Sequence, residues 1–333
     1  MSLRDVFEHF RDRRFIFVEP GGNHGDYLIY AGAKKLANEV GIGYRSFSFG
    51  YQMHSHASPA LFLNRINAEM DVSQSDIIYL HGGGGFNSMY KWTHKLLKML
   101  RVMFPRNLII VGPSSATLEP RYLRQLLPKD KEIIFFAREL ITYRFMKRFY
   151  SKVYVDHDTA FHLTKNCAEF KSFCMGLPTK NNHRLLILRQ DPEAVPLPKA
   201  IKREDFDIVC DPLDSKREEW LKLHLWASKI TSNRVHSATF GAIAGKEVEL
   251  FANSYHKNRA IWEFSLGKLG VKWIPHEFNG RMRIYMASCI RKMPRSRARN
   301  KLLDWIVSRT RATSSSPEIS KHLALSVNDF EWR

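Results

Sequence analysis

The sequence predicts an α/β fold in which two doubly wound, Rossmann-like domains face each other across a cleft. Three observations support this prediction. Short apolar runs alternate with amphipathic helical patterns, the alternation occurs in two successive sets, and polar or glycine-rich stretches directly follow the apolar runs. Near-continuous apolar strands that alternate with helices are typical of a parallel sheet covered on both faces. In such a sheet the loops after the strands gather at one edge, where ligands bind.

The first predicted domain covers residues 1–165. It contains apolar runs that we interpret as strands, at residues 15–18, 77–80, 108–111, 133–136 and 153–155. A helix is expected after the first run, because its apolar residues share one face at helical spacing: Leu28, Ile29, Gly32, Leu36 and Val40. The loops after these strands should meet at one edge of the sheet.

The second predicted domain covers residues 166–280. Strands are expected at residues 185–188, 207–210 and 247–251, and a helix at residues 215–227. The stretch 192–202 contains three prolines and is expected to be an irregular connection. The remaining residues, 281–333, are predicted to form a basic amphipathic segment and a tail, since residues 281–311 contain ten Lys or Arg and a single Asp.

The composition is that of an ordinary globular protein with a strong positive charge. The chain has 52 Lys and Arg against 33 Asp and Glu, a formal net charge of +19. This excess predicts an anionic partner, and charge alone leaves open whether it is nucleic acid, a membrane surface or a phosphorylated substrate. The four cysteines lack metal-site spacing, so no metal is expected. Without a signal-like or bilayer-spanning apolar run, we expect a cytoplasmic protein, either soluble or peripheral on the inner face of the cytoplasmic membrane.

A glycine-rich stretch follows the first predicted strand and would bring backbone N–H groups close to an anion. The residues that we expect at the cleft are Asn23, Gly25 and Asp26. A tight turn that needs glycine explains this stretch equally well. The stretch is neither a GxGxxG fingerprint nor a P-loop, so nucleotide binding by those modes is disfavoured.

A second glycine-rich stretch consists of His81 and the four glycines after it. Ordering four consecutive glycines costs conformational entropy. A backbone pressed against a ligand or the facing domain at Gly83 and Gly84 justifies that cost better than a flexible loop does. Ser114, which follows the third predicted strand, is expected in the same cleft.

Two arginines occupy corresponding positions in the two predicted domains. Arg138 and Arg189 each come directly after an apolar run, where the side chain would face the crevice and bind an anion. A surface salt bridge is an interpretation of nearly equal weight for each. The cluster from Asp156 to Asp158 is better explained by capping of the following helix than by metal binding.

The most informative stretch runs from Asn233 to His236 and lies where a predicted strand ends and a predicted helix begins. Arg234 supplies a permanent cation there, and His236 supplies a group that exchanges protons near neutral pH. A helix N-terminus already favours anions. This corner therefore suits a substrate that carries phosphate and carboxylate groups.

Several of these residues, in the same order, resemble the polysaccharide pyruvyl transferase family. The matching stretches, in order along the chain, are residues 22–26 with Leu28 and Ile29, 82–84, 137–139 with Thr142, 158–161, Arg189 with Asp191, 233–236, 245–246 and 253–257. The arginine–aliphatic–histidine motif of the family corresponds to Arg234, Val235 and His236, with valine in place of the more usual leucine. Colinearity over most of residues 15–265 is more specific than any single motif.

The resemblance implies a fold similar to the two-domain glycosyltransferase B architecture. It also implies phosphoenolpyruvate as the donor substrate, with no cofactor, and a sugar of a bacterial polysaccharide or lipid-linked saccharide as the acceptor. Transfer to a pair of sugar hydroxyls would form a pyruvate ketal. In this interpretation His236 is the general acid that protonates the enol methylene. Donor-binding residues are Arg234, Val235 and Arg138, with Arg189 as a weaker candidate.

Two other functions are alternatives to this one. A nucleotide-sugar-dependent glycosyltransferase on the same fold would need a pocket for base and ribose, which the sequence does not reveal. A nucleic-acid-binding module would use the positive charge, but the chain has no recognisable nucleic-acid motif, and we expect no nucleic-acid partner. The basic residues of 281–311 suit an anionic membrane surface, and a helix packed across both domains is the alternative.

Overall fold

The computed structural model describes residues 1–48, 66, 69, 71–90, 92–127, 129–178, 183–212 and 215–276. Contacts divide the chain into one unit of residues 1–275 and a second of residues 276–333. The predicted basic segment and tail, 281–333, lie outside the described residues. Among the described residues, no helix combines the length and the apolar character required to cross a bilayer.

The first sheet has seven strands within the described residues: β1 (Phe15–Glu19), β2 (Tyr44–Ser48), β3 (Ile77–Leu80), β4 (Gly83–Asn87), β5 (Leu108–Thr117), β6 (Ile133–Ala137) and β7 (Lys152–Val155). The strand order is β2-β1-β3-β5-β6-β7, with β4 also paired to β5. All of these pairs are parallel. The helices of this part are α1 (Leu3–His9), α2 (Asp26–Val40), α3 (Thr93–Met103), α4 (Pro120–Leu123) and α5 (Leu140–Met146).

The second sheet has five strands within the described residues: β8 (His183–Ile187), β9 (Ile208–Cys210), β10 (Ala227–Ser232), β11 (Glu247–Leu250) and β12 (Lys272–Trp273). The order is β12-β11-β10-β8-β9, again with parallel pairs. Its helices are α6 (Ala168–Phe173), α7 (Arg217–Trp226), α8 (Val235–Ile243) and α9 (Lys257–Phe264). The predicted α/β class with parallel sheets is confirmed.

Strand β1 shows why the strands read as continuous apolar runs. Ile16 and Val18 belong to the core on one face of the sheet, whereas Phe15 and Phe17 belong to the core on the other face. Successive side chains of a strand point to opposite faces, so burial on both faces explains the four consecutive apolar residues 15–18. A third core joins α2 to α7 and α8 through Leu28, Leu221 and Phe240. This contact places the first residues of α2 and α8 beside each other.

Two loops of the prediction are strands in the structure. The third predicted strand was expected to end at Val111, but β5 continues through Pro113 and ends at Thr117, with an irregular register where the proline lacks an N–H. The run after His81 was predicted as a loop, but its glycines from Gly83 onward form β4 along β5. Glycine is required before it, because a Cβ on Gly82 would lie 2.1 Å from the Pro113 carbonyl oxygen.

Candidate active site

Loops at the carboxyl ends of the strands enclose a pocket of about 540 Å³. Its wall combines the segments after β1, β3, β6, β8 and β10 with the beginnings of α8 and α9. The charged and polar residues in this wall include Asn23, Asp26, Tyr30, Tyr90, Thr93, Arg138, Arg189, Asp191, Glu193, Arg234, His236, Ser237 and Lys257. Among the described residues, no group of three or more His, Cys, Asp or Glu side chains is arranged to hold a metal ion.

Arg138, at the end of β6, is the most deeply buried cation of the pocket, with 1% of its surface exposed. Its Nη1 donates to Asp158 Oδ2 at 2.7 Å, and its Nε donates to Ser115 Oγ at 2.8 Å. Its Nη2 is buried and has no hydrogen-bond partner within the described residues. An unpartnered buried N–H is costly, so its position at a pocket wall points to a ligand.

Asp158 serves both the local fold and the site. Its Oδ1 accepts from the Ala160 N–H at 3.0 Å and caps a short 3₁₀ helix (Thr159–His162), as the sequence predicted. Burial opposes ionisation of this carboxyl, but the nearby His236 imidazole and the charge of Arg138 outweigh it and hold its pKa well below the usual range. Asp158 is therefore an anion that holds Arg138 in place.

His236 lies in the first turn of α8, between two carboxylates. Its Nδ1 is 3.4 Å from Asp26 Oδ1, and its Nε2 is 3.8 Å from Asp158 Oδ2 and 3.4 Å from Arg138 Nη1. Gly25 makes room for the ring, because a Cβ there would lie 2.3 Å from His236 Cβ. The imidazole is thus held where each ring nitrogen has a nearby carboxylate oxygen.

Two cationic groups converge on Gly84. A Cβ built on this glycine would lie 3.4 Å from Arg138 Nη2 and 3.6 Å from Lys257 Nζ. The Lys257 ammonium pairs with Glu193, yet burial lowers the pKa of Lys257 to about 8 against the attraction of that carboxylate. The space beside Gly84 is therefore bordered by an unpartnered guanidinium N–H and an ammonium group.

Arg234 is the N-cap residue of α8, and carboxylates hold most of its guanidinium. Its Nε and Nη2 donate to the two oxygens of Asp211 at 2.6 and 2.7 Å. The same Nη2 also donates to Asp191 at 3.1 Å. Its Nη1 makes no hydrogen bond within the part of the chain that the structure describes. Within the described residues no side chain caps α8, so the backbone N–H groups of its first turn have no capping partner, and Val235, His236 and Ser237 line the pocket.

Arg189, at the end of β8, has all three guanidinium nitrogens in contact with protein groups. Its Nε and Nη2 donate to Asp191 at 2.9 and 2.8 Å, and its Nη1 lies 3.0 Å from Glu193 Oε2. Its Nη2 also donates to the Tyr90 hydroxyl at 3.0 Å. The salt-bridge interpretation of this arginine therefore describes its contacts, although the bridge is buried rather than at the surface.

The loop after β1 forms the wall beside α2. Asp26 Oδ2 accepts from the Asn23 N–H, and Asn23 Oδ1 accepts from the Gly25 N–H, each at 2.9 Å. Gly83 also lines the pocket, with a φ of 144° that favours glycine.

Ser114, which was predicted at the cleft, is fully buried within β5, and its hydroxyl donates to the Gly112 carbonyl. The hydroxyl that accepts from the Arg138 guanidinium is that of its neighbour Ser115.

Five residues of the site have no role predicted from the sequence: Asp191 and Lys257, which lie in stretches that resemble the family, and Glu193, Asp211 and Tyr90, which do not. Arg138 was predicted from its position directly after a strand, where side chains reach the ligand crevice, and we call this the strand-end rule. Asp211 directly follows β9, so the same rule would have found it. Lys257 begins a helix, and Tyr90 lies in a turn after β4, a strand that the glycine run concealed. Tyr90 carries no comparable signal in the sequence, whereas Lys257 is marked there only by its place in the matching stretch 253–257.

The model of the polysaccharide pyruvyl transferase family matches residues 23–255. A similar solved structure is that of a functionally uncharacterised protein from Klebsiella pneumoniae subsp. pneumoniae NTUH-K2044, at 19% identity and a TM-score of 0.53. The similarity covers 82% of this chain and 96% of that chain, and at this identity it concerns the fold alone. No curated protein sequence shows a significant match.

Proposed function

The chain belongs to the polysaccharide pyruvyl transferase family, and we propose that it transfers a pyruvyl group from phosphoenolpyruvate to two hydroxyls of one sugar, forming a ketal. The acceptor sugar belongs to a bacterial polysaccharide or a lipid-linked saccharide. The observation that supports this most directly is the buried Arg138, whose unpartnered Nη2 borders the space beside Gly84 together with Lys257 and whose Nη1 lies 3.4 Å from His236 Nε2. We further propose that the two sheets correspond to the two domains of a glycosyltransferase B arrangement.

Phosphoenolpyruvate carries a phosphate and a carboxylate, so its binding requires two sets of donors. The first set consists of Arg138 Nη2 and Lys257 Nζ, which border the space beside Gly84. The second is the uncapped N-terminus of α8, where backbone N–H groups and the positive end of the helix dipole favour an anion. Arg234 extends this second set through Nη1. Arg189 positions the neighbouring carboxylates, since all its nitrogens are engaged.

The position of His236 between these two sets suits proton transfer to the donor. The imidazolium protonates the methylene carbon, and the positive charge that develops at the adjacent carbon is attacked by the first sugar hydroxyl. Phosphate then leaves, and the second hydroxyl closes the ketal. Of the two hydroxyl protons released, one restores the imidazolium and the other leaves with phosphate, so the reaction is balanced. Asp26 and Asp158 keep the ring in position.

A binding experiment tests the donor. Calorimetric titration of the wild-type protein with phosphoenolpyruvate should show binding, and a panel of nucleotide sugars should not. The family match does not favour the nucleotide-sugar glycosyltransferase that the sequence left as an alternative. Calorimetric binding of a nucleotide sugar and not of phosphoenolpyruvate would contradict the proposal.

A second experiment tests His236. The His236→Ala variant should keep most of its affinity for phosphoenolpyruvate and lose phosphate release in the presence of a lipid-linked saccharide fraction. His9→Ala is the matched control, because His9 ends α1 and does not line the pocket. Near-normal turnover by His236→Ala would show that the assignment of the acid is wrong.

We also propose that the protein is cytoplasmic and that residues 281–311 attach it to anionic lipid. The support is the sequence alone, because basic residues near such a surface each add about 1 kcal/mol and this stretch has ten of them. Deletion of the residues after Gly280 should release the protein from liposomes that contain an anionic phospholipid. Equal binding by the full and truncated chains would overturn this proposal.

A further inference from the structure

The turn after β4 presents an aromatic ring at the pocket. Tyr90 is 41% exposed and lines the pocket together with Trp92 from the same segment. The Tyr90 hydroxyl is fixed, because it accepts a hydrogen bond from Arg189 Nη2 at 3.0 Å. A ring that is anchored at its hydroxyl and open on its face is a rigid apolar surface with little conformational entropy left to lose.

A buried asparagine holds this turn to the proposed donor site. Asn87 is fully buried, and its Oδ1 accepts from the Met89 and Tyr90 N–H groups, both at 2.9 Å. Its Nδ2 donates to the Gly84 carbonyl at 2.6 Å. The Asn87 side chain therefore links the backbone at Gly84, beside Arg138 and Lys257, to the backbone at Tyr90.

Glu193 supplies a hydrogen-bond acceptor near the same ring. This residue lines the pocket although it is 99% buried, since only 1% of its surface is exposed. Its Oε2 contacts the Lys257 ammonium and Arg189 Nη1 and accepts from Asn253 Nδ2, whereas its Oε1 makes no hydrogen bond within the described residues. Asp191 cannot take this role, because its two oxygens already accept four hydrogen bonds.

We propose that this corner binds the acceptor, with the apolar face of a hexopyranose ring against Tyr90 and a sugar hydroxyl donating to Glu193 Oε1. A pyranose combines a face of C–H bonds with hydroxyls at its rim, and the corner combines an aromatic face with a carboxylate oxygen. The ion pairs from Lys257 through Glu193 to Arg189 place this ring beside the donor. The inference rests on the proposed function and adds the location of the acceptor.

The test uses methyl hexopyranosides with free hydroxyls as probes, titrated into the full chain and followed by saturation-transfer NMR in the presence of phosphoenolpyruvate. We expect at least one hexopyranoside to bind. Tyr90→Ala should weaken its binding by about tenfold or more, and Tyr90→Phe, which keeps the ring and loses the anchor, by less. Tyr143→Ala is the matched control, because Tyr143 lies on α5 away from the pocket wall. The phosphoenolpyruvate affinity of Tyr90→Ala should stay within twofold of wild type.

Three outcomes would overturn the inference while leaving the proposed function intact. They are unchanged sugar affinity in Tyr90→Ala, binding of phosphoenolpyruvate with no hexopyranoside bound, and displacement of the sugar by uridine diphosphate, which would assign the ring to a nucleobase. Failure of the wild-type protein to bind phosphoenolpyruvate would instead refute the proposed function.

Discussion

The variant Arg138→Gln, alone and combined with Asp158→Asn, should distinguish the contribution of Arg138 to phosphoenolpyruvate affinity from its contribution to stability. The two side chains form a buried pair, with 1% and 4% of their side-chain surfaces exposed and a separation of 2.7 Å. Removing the guanidinium leaves a buried carboxylate whose other ion-pair contact within the described residues is the His236 imidazole, at 3.8 Å. Breaking a buried pair from one side costs about 3–5 kcal/mol, so Arg138→Gln should lower the free energy of unfolding by about that amount.

The double variant Arg138→Gln with Asp158→Asn should recover most of this stability, because no uncompensated charge remains in the interior. Its affinity for phosphoenolpyruvate should remain low. One hydrogen bond to a charged group contributes about 1.5–3 kcal/mol, which corresponds to a dissociation constant raised by roughly 10- to 150-fold. Stability and donor binding would then respond differently to the same pair of substitutions.

Urea denaturation and calorimetric titration with phosphoenolpyruvate measure the two effects. A matched control is Arg101→Gln, because Arg101 and Asp130 form a bidentate pair at 2.8 Å that does not line the pocket. This control should reduce stability and leave the donor affinity unchanged. Wild-type affinity in the stable double variant would refute the argument that Arg138 Nη2 binds the donor.

Three further predictions concern the same pocket. Because the pKa of Lys257 is lowered to about 8, the affinity for phosphoenolpyruvate should fall as the pH rises above 8, and Lys257→Arg should abolish this pH dependence. Between about pH 8 and 10.5 the folded state also binds fewer protons than the unfolded state, so the free energy of unfolding should rise across that range. Gly84→Ala should weaken phosphoenolpyruvate binding by about tenfold or more at nearly unchanged stability, since its methyl would occupy the anion position at ordinary contact distances, and calorimetry checks this. Gly25→Ala should displace His236 and abolish phosphate release, whereas Gly43→Ala, with nothing within 4 Å of the added methyl, should not; equal turnover by both would refute the steric argument.

The strand-end rule predicted the positions of the main site residues because the topology leaves little freedom. Arg138, Arg189 and Arg234 each follow a strand of a parallel sheet within two residues, and the carboxyl ends of these strands meet at the pocket. The rule depends on recognising where a strand ends. It misplaced Ser114, because a Gly-Pro pair reads as a turn in sequence while β5 continues through it to Thr117.

The partners of these residues could not be predicted in the same way. Arg234 pairs with Asp211, and Arg138 with Asp158, across separations of more than fifteen residues that only the folded chain closes. The sequence shows many carboxylates of similar local character. The choice among them depends on which strand ends lie side by side at the sheet edge, which no local pattern of apolar residues encodes.

Because of these ion pairs, the net positive charge of the chain does not give the pocket a positive charge. Around the pocket, within the described residues, the four cations Arg138, Arg189, Arg234 and Lys257 stand against five carboxylates: Asp26, Asp158, Asp191, Glu193 and Asp211. The pocket therefore has no excess of positive charge, although the chain has a net charge of +19. Affinity for an anion there must come from directed donors that lack a protein partner. Buried and fixed in direction, such donors discriminate by geometry, as selection of one small phosphorylated acid requires.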